Sequence, residues 1–175
     1  MYDIFGYFPQ TIQGADILAA GDHEKPYQVF MPDFFEGNPA DISWYPPDTP
    51  EKGQKLGAFF QGPAAPPKTV ARVSKALEAI KSANPGLQSF GIVGYCWGGK
   101  IVNLSSQEGT PFKAAAAVHP AMVDPDDASK VTIPIAVLPS MDEDKTAVDG
   151  YEKNLKVDHV VEWFPDQVHG WMAAR

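Results

Sequence analysis

The chain contains one cysteine, Cys96, and the residues around it have a spacing that suits a reactive sulfur. Residues 94–98 read Gly-Tyr-Cys-Trp-Gly, after the short apolar run 90–93 and before an apolar helical pattern over 101–104. This order predicts a strand, a sharp turn and a helix, with the sulfur at the apex of the turn. Because the backbone at such an apex is strained, the positions two before and two after it must be small. Glycine occupies both positions.

A sulfur at the first turn of a helix faces unpaired N–H groups and the positive end of the helix dipole, which favour the reactive thiolate. Cys96 is therefore a candidate nucleophile. The alternative is a small buried apolar side chain beside a glycine turn, because many cysteines without a disulfide partner are core residues. The turn alone leaves both interpretations open.

Two later loops supply the other groups that a thiol nucleophile needs. The predicted strand 133–138 is followed by three acids at 142–144, and the predicted last strand 159–164 is followed by His169. An imidazole can take the thiol proton and return it to a leaving group, while a carboxylate fixes the ring and steadies the imidazolium. The chain order of nucleophile, acid and histidine is the order found in α/β-hydrolases. Together these features favour a catalytic triad.

The remaining pattern predicts an α/β fold. Strands and helices alternate along the chain, which favours a mainly parallel sheet with helices on both faces and reactive groups beyond the carboxyl ends of the strands. The further predicted helices are 11–20, 68–83 and 145–156, and the further predicted strands are 27–31 and 113–118. The proline-rich excursion 32–67 carries several aromatic residues and is expected to form a cap over the site, with an anchored surface loop as the alternative.

Composition excludes several classes of protein. The length of 175 residues suits one domain, and the net charge of −8 comes without a lysine and arginine cluster that could follow a nucleic acid backbone. A lone cysteine gives no sign of an oxidising compartment, and we find neither a signal peptide nor a membrane span. We expect a cytoplasmic monomer or homodimer whose partner is a small-molecule ester or lactone, with no nucleic acid or membrane partner.

The chain resembles the dienelactone hydrolase family, particularly its fungal members. Five segments carry the resemblance and span nearly the whole chain: 3–6, 27–37, 93–100, the acidic loop 139–144, and 169–171. The Gly-Tyr-Cys-x-Gly-Gly element is the most specific of them. The resemblance implies a small α/β-hydrolase fold and the opening of lactones or esters through a cysteine thioester, without a metal or organic cofactor.

The resemblance also implies roles for individual residues. Cys96 corresponds to the nucleophile and His169 to the general base, and the backbone N–H groups of Trp97 and Ile4 correspond to the oxyanion hole. Counting from Pro134, at the start of the predicted strand 133–138, places the triad acid at Glu143, whereas Asp142 is the commoner residue type for this role. Both stay open, and Asp144 is a third candidate.

Substrate contacts are less sharply implied. Asp3 stands where the family usually has a glutamate that meets the resting thiol, and its shorter side chain puts that contact in question. Arg175 follows the histidine loop, where the family can place a cation for a substrate carboxylate, and Tyr95 and Trp171 suit either a pocket wall or packing. The remaining histidines are expected to be structural or on the surface: His23, His119 and His159.

The family generally has strands before the segment that matches residues 1–6 and a helix after the histidine loop. The expectation is therefore a single, trimmed α/β-hydrolase domain over 1–175, with an exposed sheet edge. Two alternatives to a cysteine hydrolase follow. One is a binding or regulatory protein that keeps the pocket without turnover, and the other is a redox-responsive protein in which the thiol is oxidised reversibly.

Overall fold

The computed structural model describes residues 1–173, which form a sheet of four parallel strands in the order β1-β2-β3-β4. The strands are β1 (Gly91–Tyr95), β2 (Ala114–Val118), β3 (Ile135–Leu138) and β4 (His159–Val161). The helices are α1 (Pro9–Ala20), α2 (Pro50–Gln61), α3 (Pro66–Ala83), α4 (Trp97–Ser105), α5 (Pro125–Ala128) and α6 (Lys145–Asn154). The predicted α/β fold, with a parallel sheet and helices on both sides, is confirmed.

Parallel pairing brings the carboxyl ends of all four strands to one edge of the sheet. Tyr95 of β1 pairs with Val118 of β2, and Val118 pairs with Leu138 of β3. The bridge between Ser140 and Phe164 extends this alignment past the ends of β3 and β4. The loops that start with Cys96, His119 and Pro139 therefore begin side by side, as the sequence predicted.

The excursion 32–67, which the sequence predicts to pack over the site, contributes aromatic side chains to the main core. Phe34, Phe35 and Phe59 are buried in the main hydrophobic core. The ring of Phe35 lies 4.8 Å from that of Trp97, which follows Cys96 directly. Burial of such a side chain contributes roughly 1.5–3 kcal/mol. The excursion is thus held to the start of α4 by packing.

Helix α2 lies within this excursion, where the apolar pattern indicates no more than one helical turn over 56–60. The Thr49 side chain caps it by accepting a hydrogen bond from the Lys52 N–H at 3.3 Å, and Pro50 occupies the first turn. Gly53 and Gly57 interrupt the apolar pattern, so periodicity gave little sign of the helix. Its buried side chains supply the stabilisation that helix propensity does not.

The predicted strand over residues 27–31 is wrong. These residues are not part of a strand, although their β-branched and aromatic types favour one. A strand needs a neighbour with which to pair, and the strand partner of β1 within residues 1–173 is β2. On its other side, within the described residues, β1 bonds to Met1, whose N–H donates to Val93 O at 2.6 Å and whose O accepts from Tyr95 N at 3.1 Å.

No helix within residues 1–173 is both long and apolar enough to cross a membrane.

Candidate active site

Cys96 sits at a strained turn between β1 and α4. Its backbone has φ 54° and ψ −117°, a conformation that non-glycine residues rarely adopt and that costs about 1–3 kcal/mol. Three hydrogen bonds hold it there: Cys96 N–H donates to Val118 O at 3.1 Å, and Cys96 O accepts from Gly99 N at 2.9 Å and Ala121 N at 2.9 Å. The turn predicted from the glycine spacing is present.

The glycines on both sides of Cys96 are required by close approaches of the backbone. A Cβ added at Gly94 would lie 2.2 Å from Gly98 O, and one at Gly98 would lie 2.6 Å from Tyr2 O. Both distances are far below van der Waals contact. The strand and the helix can therefore pass each other, and residues 1–2 can cross the start of α4, only because side chains are lacking at these positions.

The ring of His169 lies between Cys96 and Glu143. Its Nδ1 is 2.5 Å from Glu143 Oε1, and a hydrogen bond with the Cys96 side chain raises the pKa of the imidazole. Since Nδ1 is occupied by the carboxylate, Nε2 is the nitrogen left for the sulfur. The structure thus joins the thiol, the imidazole and a carboxylate in one hydrogen-bonded chain.

Of the three acids predicted as candidates, Glu143 contacts the ring, and the other two have different partners. Asp142 Oδ2 accepts a hydrogen bond from the His169 backbone N–H at 2.8 Å. Asp144 caps α6 by accepting from Thr146 N at 2.8 Å and Ala147 N at 3.2 Å. Counting from Pro134 therefore identified the acid that contacts the ring. Choosing aspartate because it is the commoner residue type in this role did not. Asp142 instead fixes the loop on which the ring is carried.

Electrostatics favour the charged forms of the histidine and the glutamate. Burial works to lower the pKa of His169, but hydrogen bonds with Cys96 and Glu143, and their charges, outweigh it and raise that pKa to about 10. Burial works in the opposite direction on Glu143, and the His169 hydrogen bond together with the Ser140 N–H outweighs it, so the pKa of Glu143 is lowered. An ionised carboxylate only accepts, so His169 Nδ1 carries a proton.

The two backbone N–H groups predicted to form the oxyanion hole have no acceptor within residues 1–173. Trp97 is the first residue of α4, where N–H groups lack helical partners, and neither its N–H nor that of the buried Ile4 donates a hydrogen bond in this part of the chain. Residues 1–2 cross α4 at Gly98, and the rings of Tyr2 and Trp97 stack 6.5 Å apart. The predicted oxyanion donors are thus held on neighbouring segments.

The predicted substrate-contacting residues have mixed environments. Asp3 is buried, and its Oδ1 accepts a hydrogen bond from Phe5 N at 2.8 Å. Tyr95 packs in a small cluster with Val118, and Trp171 packs on Phe164 with ring centroids 4.7 Å apart, so both have the packing role that the sequence allowed. Arg175 lies outside the described residues.

Sequence reasoning missed the position of His119. It was interpreted as structural, and its side chain is indeed fully buried, but its ring lies edge-to-face with that of His169 at 5.1 Å. Its backbone N–H donates to Leu138 O at 2.8 Å. The signal available in the sequence was its place directly after β2, at the same edge as the two other loops. His23 and His159 are exposed, as predicted.

No group of three or more His, Cys, Asp or Glu side chains that could hold a metal ion occurs within residues 1–173.

A model of the dienelactone hydrolase family matches residues 1–175. The chain belongs to this family. Membership supports a hydrolase function, and the strained cysteine turn followed by an acid loop and a histidine loop is the arrangement that the resemblance implied.

Curated relatives of this dienelactone hydrolase family member are found in fungi and animals. An uncharacterized AIM2 family protein of Schizosaccharomyces pombe is 34% identical over 99% of this chain and 70% of its own length. A carboxymethylenebutenolidase homolog of Homo sapiens is 27% identical over 97% of this chain and 68% of its own length.

Solved structures show the same fold at low sequence identity. A dienelactone hydrolase from Anabaena variabilis matches with a TM-score of 0.62 and 15% identity over 93% of this chain and 70% of that chain. A structure titled m3DLH matches with a TM-score of 0.64 and 17% identity over 96% of this chain and 69% of that chain. Both support the fold assignment.

The different contacts of Glu143 and Asp142 predict different effects of neutralising each. Glu143→Gln removes the negative charge beside Nδ1, so we expect the pKa of His169 to fall from about 10 toward its ordinary value. Asp142→Asn keeps an oxygen that can accept from the His169 backbone, so we expect a much smaller change in that pKa. Histidine resonances followed by NMR from pH 5 to 11 measure both. Equal shifts in the two variants would contradict the assignment.

The raised pKa of His169 also predicts how stability depends on pH. A folded-state pKa of about 10, against an ordinary value of 6.5, stabilises the folded protein fully below pH 6.5, and this stabilisation is lost as the pH rises toward 10. We therefore expect the unfolding free energy of the wild type to fall between pH 6.5 and 10 relative to that of His169→Gln. Denaturant unfolding of both proteins at pH 6, 8 and 10 tests this, and a constant difference would contradict it.

Proposed function

We propose that this chain hydrolyses small carboxylic esters or lactones through a thioester on Cys96. The observation that carries the proposal is the hydrogen-bonded chain from the Cys96 sulfur through His169 to Glu143, at a turn held by Gly94 and Gly98. The sulfur is the nucleophile, the imidazole of His169 transfers protons, and the carboxylate of Glu143 orients the imidazole. Family membership supports the broader class, that of a hydrolase.

In the acylation step the thiolate attacks the substrate carbonyl carbon, and the carbonyl π electrons move onto oxygen. The N–H groups of Trp97 and Ile4 would donate to this oxyanion, and one such donor is worth about 2.7–4 kcal/mol of the barrier. Since the pKa of His169 is raised to about 10, its imidazolium holds a proton at neutral pH. The tetrahedral intermediate collapses to the thioester, and the departing alkoxide takes that proton.

In the deacylation step the same ring acts in reverse. His169, now neutral, takes a proton from water as the water oxygen attacks the thioester carbonyl. The C–S bond then breaks, the acid leaves, and the thiolate and imidazolium are restored. The contacts of Glu143 and Asp142 keep the ring in place through both steps.

Trapping the acyl-enzyme tests the proposal. We expect p-nitrophenyl butyrate to be turned over, and rapid acid quenching to leave one butyryl group, which peptide mass spectrometry places on Cys96. Cys96→Ser is the matched control for the thioester, and protein alkylated with iodoacetamide is the control for access to the sulfur.

Other outcomes would overturn the proposal. Saturable binding of the ester without turnover or adduct would point to a binding protein. Reaction with peroxide that thiols reverse, again without ester cleavage, would point to a redox role. Turnover that persists in Cys96→Ala would place the chemistry elsewhere.

A further inference from the structure

The ring of His119 lies where the parts of the proposed site meet. Its centroid is 5.1 Å from that of the His169 ring, with an angle of 68° between the two planes. It is also 5.9 Å from the centroid of the Tyr95 ring at the end of β1. Since the His119 side chain is fully buried, it contacts the His169 ring from the interior of the protein and is not open to a substrate in solution.

The segment that carries His119 also holds the turn at Cys96. Directly before His119, Val118 O accepts a hydrogen bond from the Cys96 N–H at 3.1 Å. Two residues after it, the Ala121 N–H donates to Cys96 O at 2.9 Å. The N–H of His119 itself donates to Leu138 O, at the end of β3, at 2.8 Å. The backbone of His119 is therefore fixed relative to the nucleophile by hydrogen bonds on both sides.

The backbone of His119 is also strained. Its φ is 36°, in the left-handed region that residues with a Cβ rarely adopt. Such conformations persist where the surrounding structure fixes them, and they cluster at active sites. His119 follows β2 just as the strained Cys96, with φ 54°, follows the neighbouring β1. Adjacent strands thus end in two residues whose conformations local preference disfavours.

His169 needs support from a neighbouring element, because it lies on a loop. Its backbone N–H donates to Asp142 at 2.8 Å, and its Nδ1 is 2.5 Å from Glu143 Oε1, so both acids hold it from the loop after β3. Hydrogen bonds at the two ring nitrogens lie in the plane of the imidazole. The ring can therefore tilt about the line between its nitrogens without losing either bond. A second ring packed against it at 68° limits that tilt.

We infer that His119 is a positioning residue for the proposed reaction, and that its ring keeps the imidazole of His169 in line with the Cys96 sulfur. The inference rests on the proposed function and adds to the site a side chain that acts through His169. Such support matters because a displacement of about 1 Å can cost about 10²-fold in rate. The raised pKa of His169 agrees with it, since the hydrogen bonds with Cys96 and Glu143 that raise this pKa require a ring that stays in place.

Replacing His119 with alanine and with phenylalanine tests the inference. His119→Ala removes the neighbour of the His169 ring, so we expect kcat for p-nitrophenyl butyrate to fall about 10–100-fold, with KM changed by less than about threefold. His119→Phe keeps a flat ring that can pack edge-to-face, so we expect kcat to return to within about fivefold of the wild type. Steady-state kinetics at pH 7.5 measure both variants.

Two further variants separate positioning from a general loss of stability. Leu77 is buried in α3, which carries none of the proposed site residues, so Leu77→Ala also leaves a cavity in the core. We expect it to lower the stability to denaturant and to keep kcat within about twofold. His119→Gln has roughly the volume of histidine without a ring, and it replaces His119→Ala if that variant does not fold. Its kcat should be at least about threefold below that of His119→Phe.

The pKa of His169 is a readout that a merely structural role of His119 would not move. In His119→Ala the ring spends less time in contact with Cys96 and Glu143, so we expect this pKa to fall from about 10 toward its ordinary value. In Leu77→Ala it should keep the wild-type value. NMR titration of the histidine resonances measures the change, and the resonances missing from His169→Gln identify those of His169.

The outcomes distinguish this inference from the proposed function. A loss of kcat in folded His119→Ala no larger than that in Leu77→Ala, an unchanged pKa of His169, or His119→Phe no more active than His119→Gln would overturn the inference. Each of these results would leave the thioester mechanism intact. Failure of the wild type to cleave the ester above the Cys96→Ala background would overturn the proposed function, and the titration would still test the contact between the two rings.

Discussion

Replacing His169 with alanine is expected to lower kcat/KM for p-nitrophenyl butyrate by about 10²–10⁴-fold, the usual contribution of a general acid and base. The ring is the group that hydrogen-bonds to the Cys96 side chain, and it would supply the proton that the leaving group takes. Without it, the thiol has no base, and the alkoxide must leave without a proton donor. Steady-state kinetics at pH 7.5 measure the loss.

His159→Ala is the matched control, because His159 is exposed and its Nδ1 lies 2.7 Å from the O of nearby Val157. We expect this variant to keep the wild-type rate within about twofold, since surface substitutions rarely disturb a fold. A further measurement is the rate at which iodoacetamide alkylates Cys96 at neutral pH, which should also fall in His169→Ala. Wild-type turnover or alkylation in His169→Ala would contradict the assigned role.

Gly94→Ala is expected to destabilise the fold by at least about 3 kcal/mol, or to prevent folding. The added Cβ would lie 2.2 Å from Gly98 O and 2.7 Å from Val102 Cγ2. The first of these atoms belongs to the backbone of α4, so the helix as a whole would have to move away from β1. Overpacking that side chains can absorb costs about 1–3 kcal/mol, and a backbone clash exceeds that range. Guanidinium unfolding monitored by circular dichroism measures the change.

Gly53→Ala provides the comparison within the same protein. Gly53 lies in α2, and nothing stands within 4 Å of a Cβ added there. Alanine favours a helix interior over glycine by about 0.8–1.0 kcal/mol, so this variant should be somewhat more stable than the wild type. A Gly94→Ala protein as stable as Gly53→Ala would show that strand and helix do not need the close approach. A loss of activity in Gly94→Ala without a loss of stability would have the same meaning.

The two residues beside His169 illustrate how side-chain length selects a partner. Glu143 follows Asp142 directly, and yet the longer side chain reaches the ring nitrogen while the shorter one reaches the backbone N–H of the same histidine. One acid therefore orients the ring and the other anchors its loop. Neither contact follows from the presence of three acids in a row, because both depend on the path of the loop after β3.

Local signals were sufficient where neighbours along the chain define the structure. The glycines flanking Cys96 predicted the turn, because only residues without a Cβ allow the strand and helix to approach so closely. The predicted helix 68–83 and the order of strands and loops likewise predicted the fold class and the edge at which the reactive groups collect. The structure confirms each of these.

Local signals failed where pairing or packing decides. Residues 27–31 have the composition of a strand but form none, because within residues 1–173 no strand pairs with them. Local signals likewise did not indicate which aromatic residues of 32–67 are buried: Phe34, Phe35 and Phe59 lie in the main core, and Phe35 packs against Trp97, because burial of large apolar area is favourable.

The sequence by itself determined the parallel α/β framework, the strained cysteine turn and the loops on which a histidine and an acid must lie, because these follow from residue spacing along the chain. Only the tertiary structure decided that Glu143 holds the ring, that Asp142 holds the loop and that His119 packs against His169. Such contacts depend on interatomic distances between segments that are far apart in the chain. Spacing along the sequence carries no record of those distances.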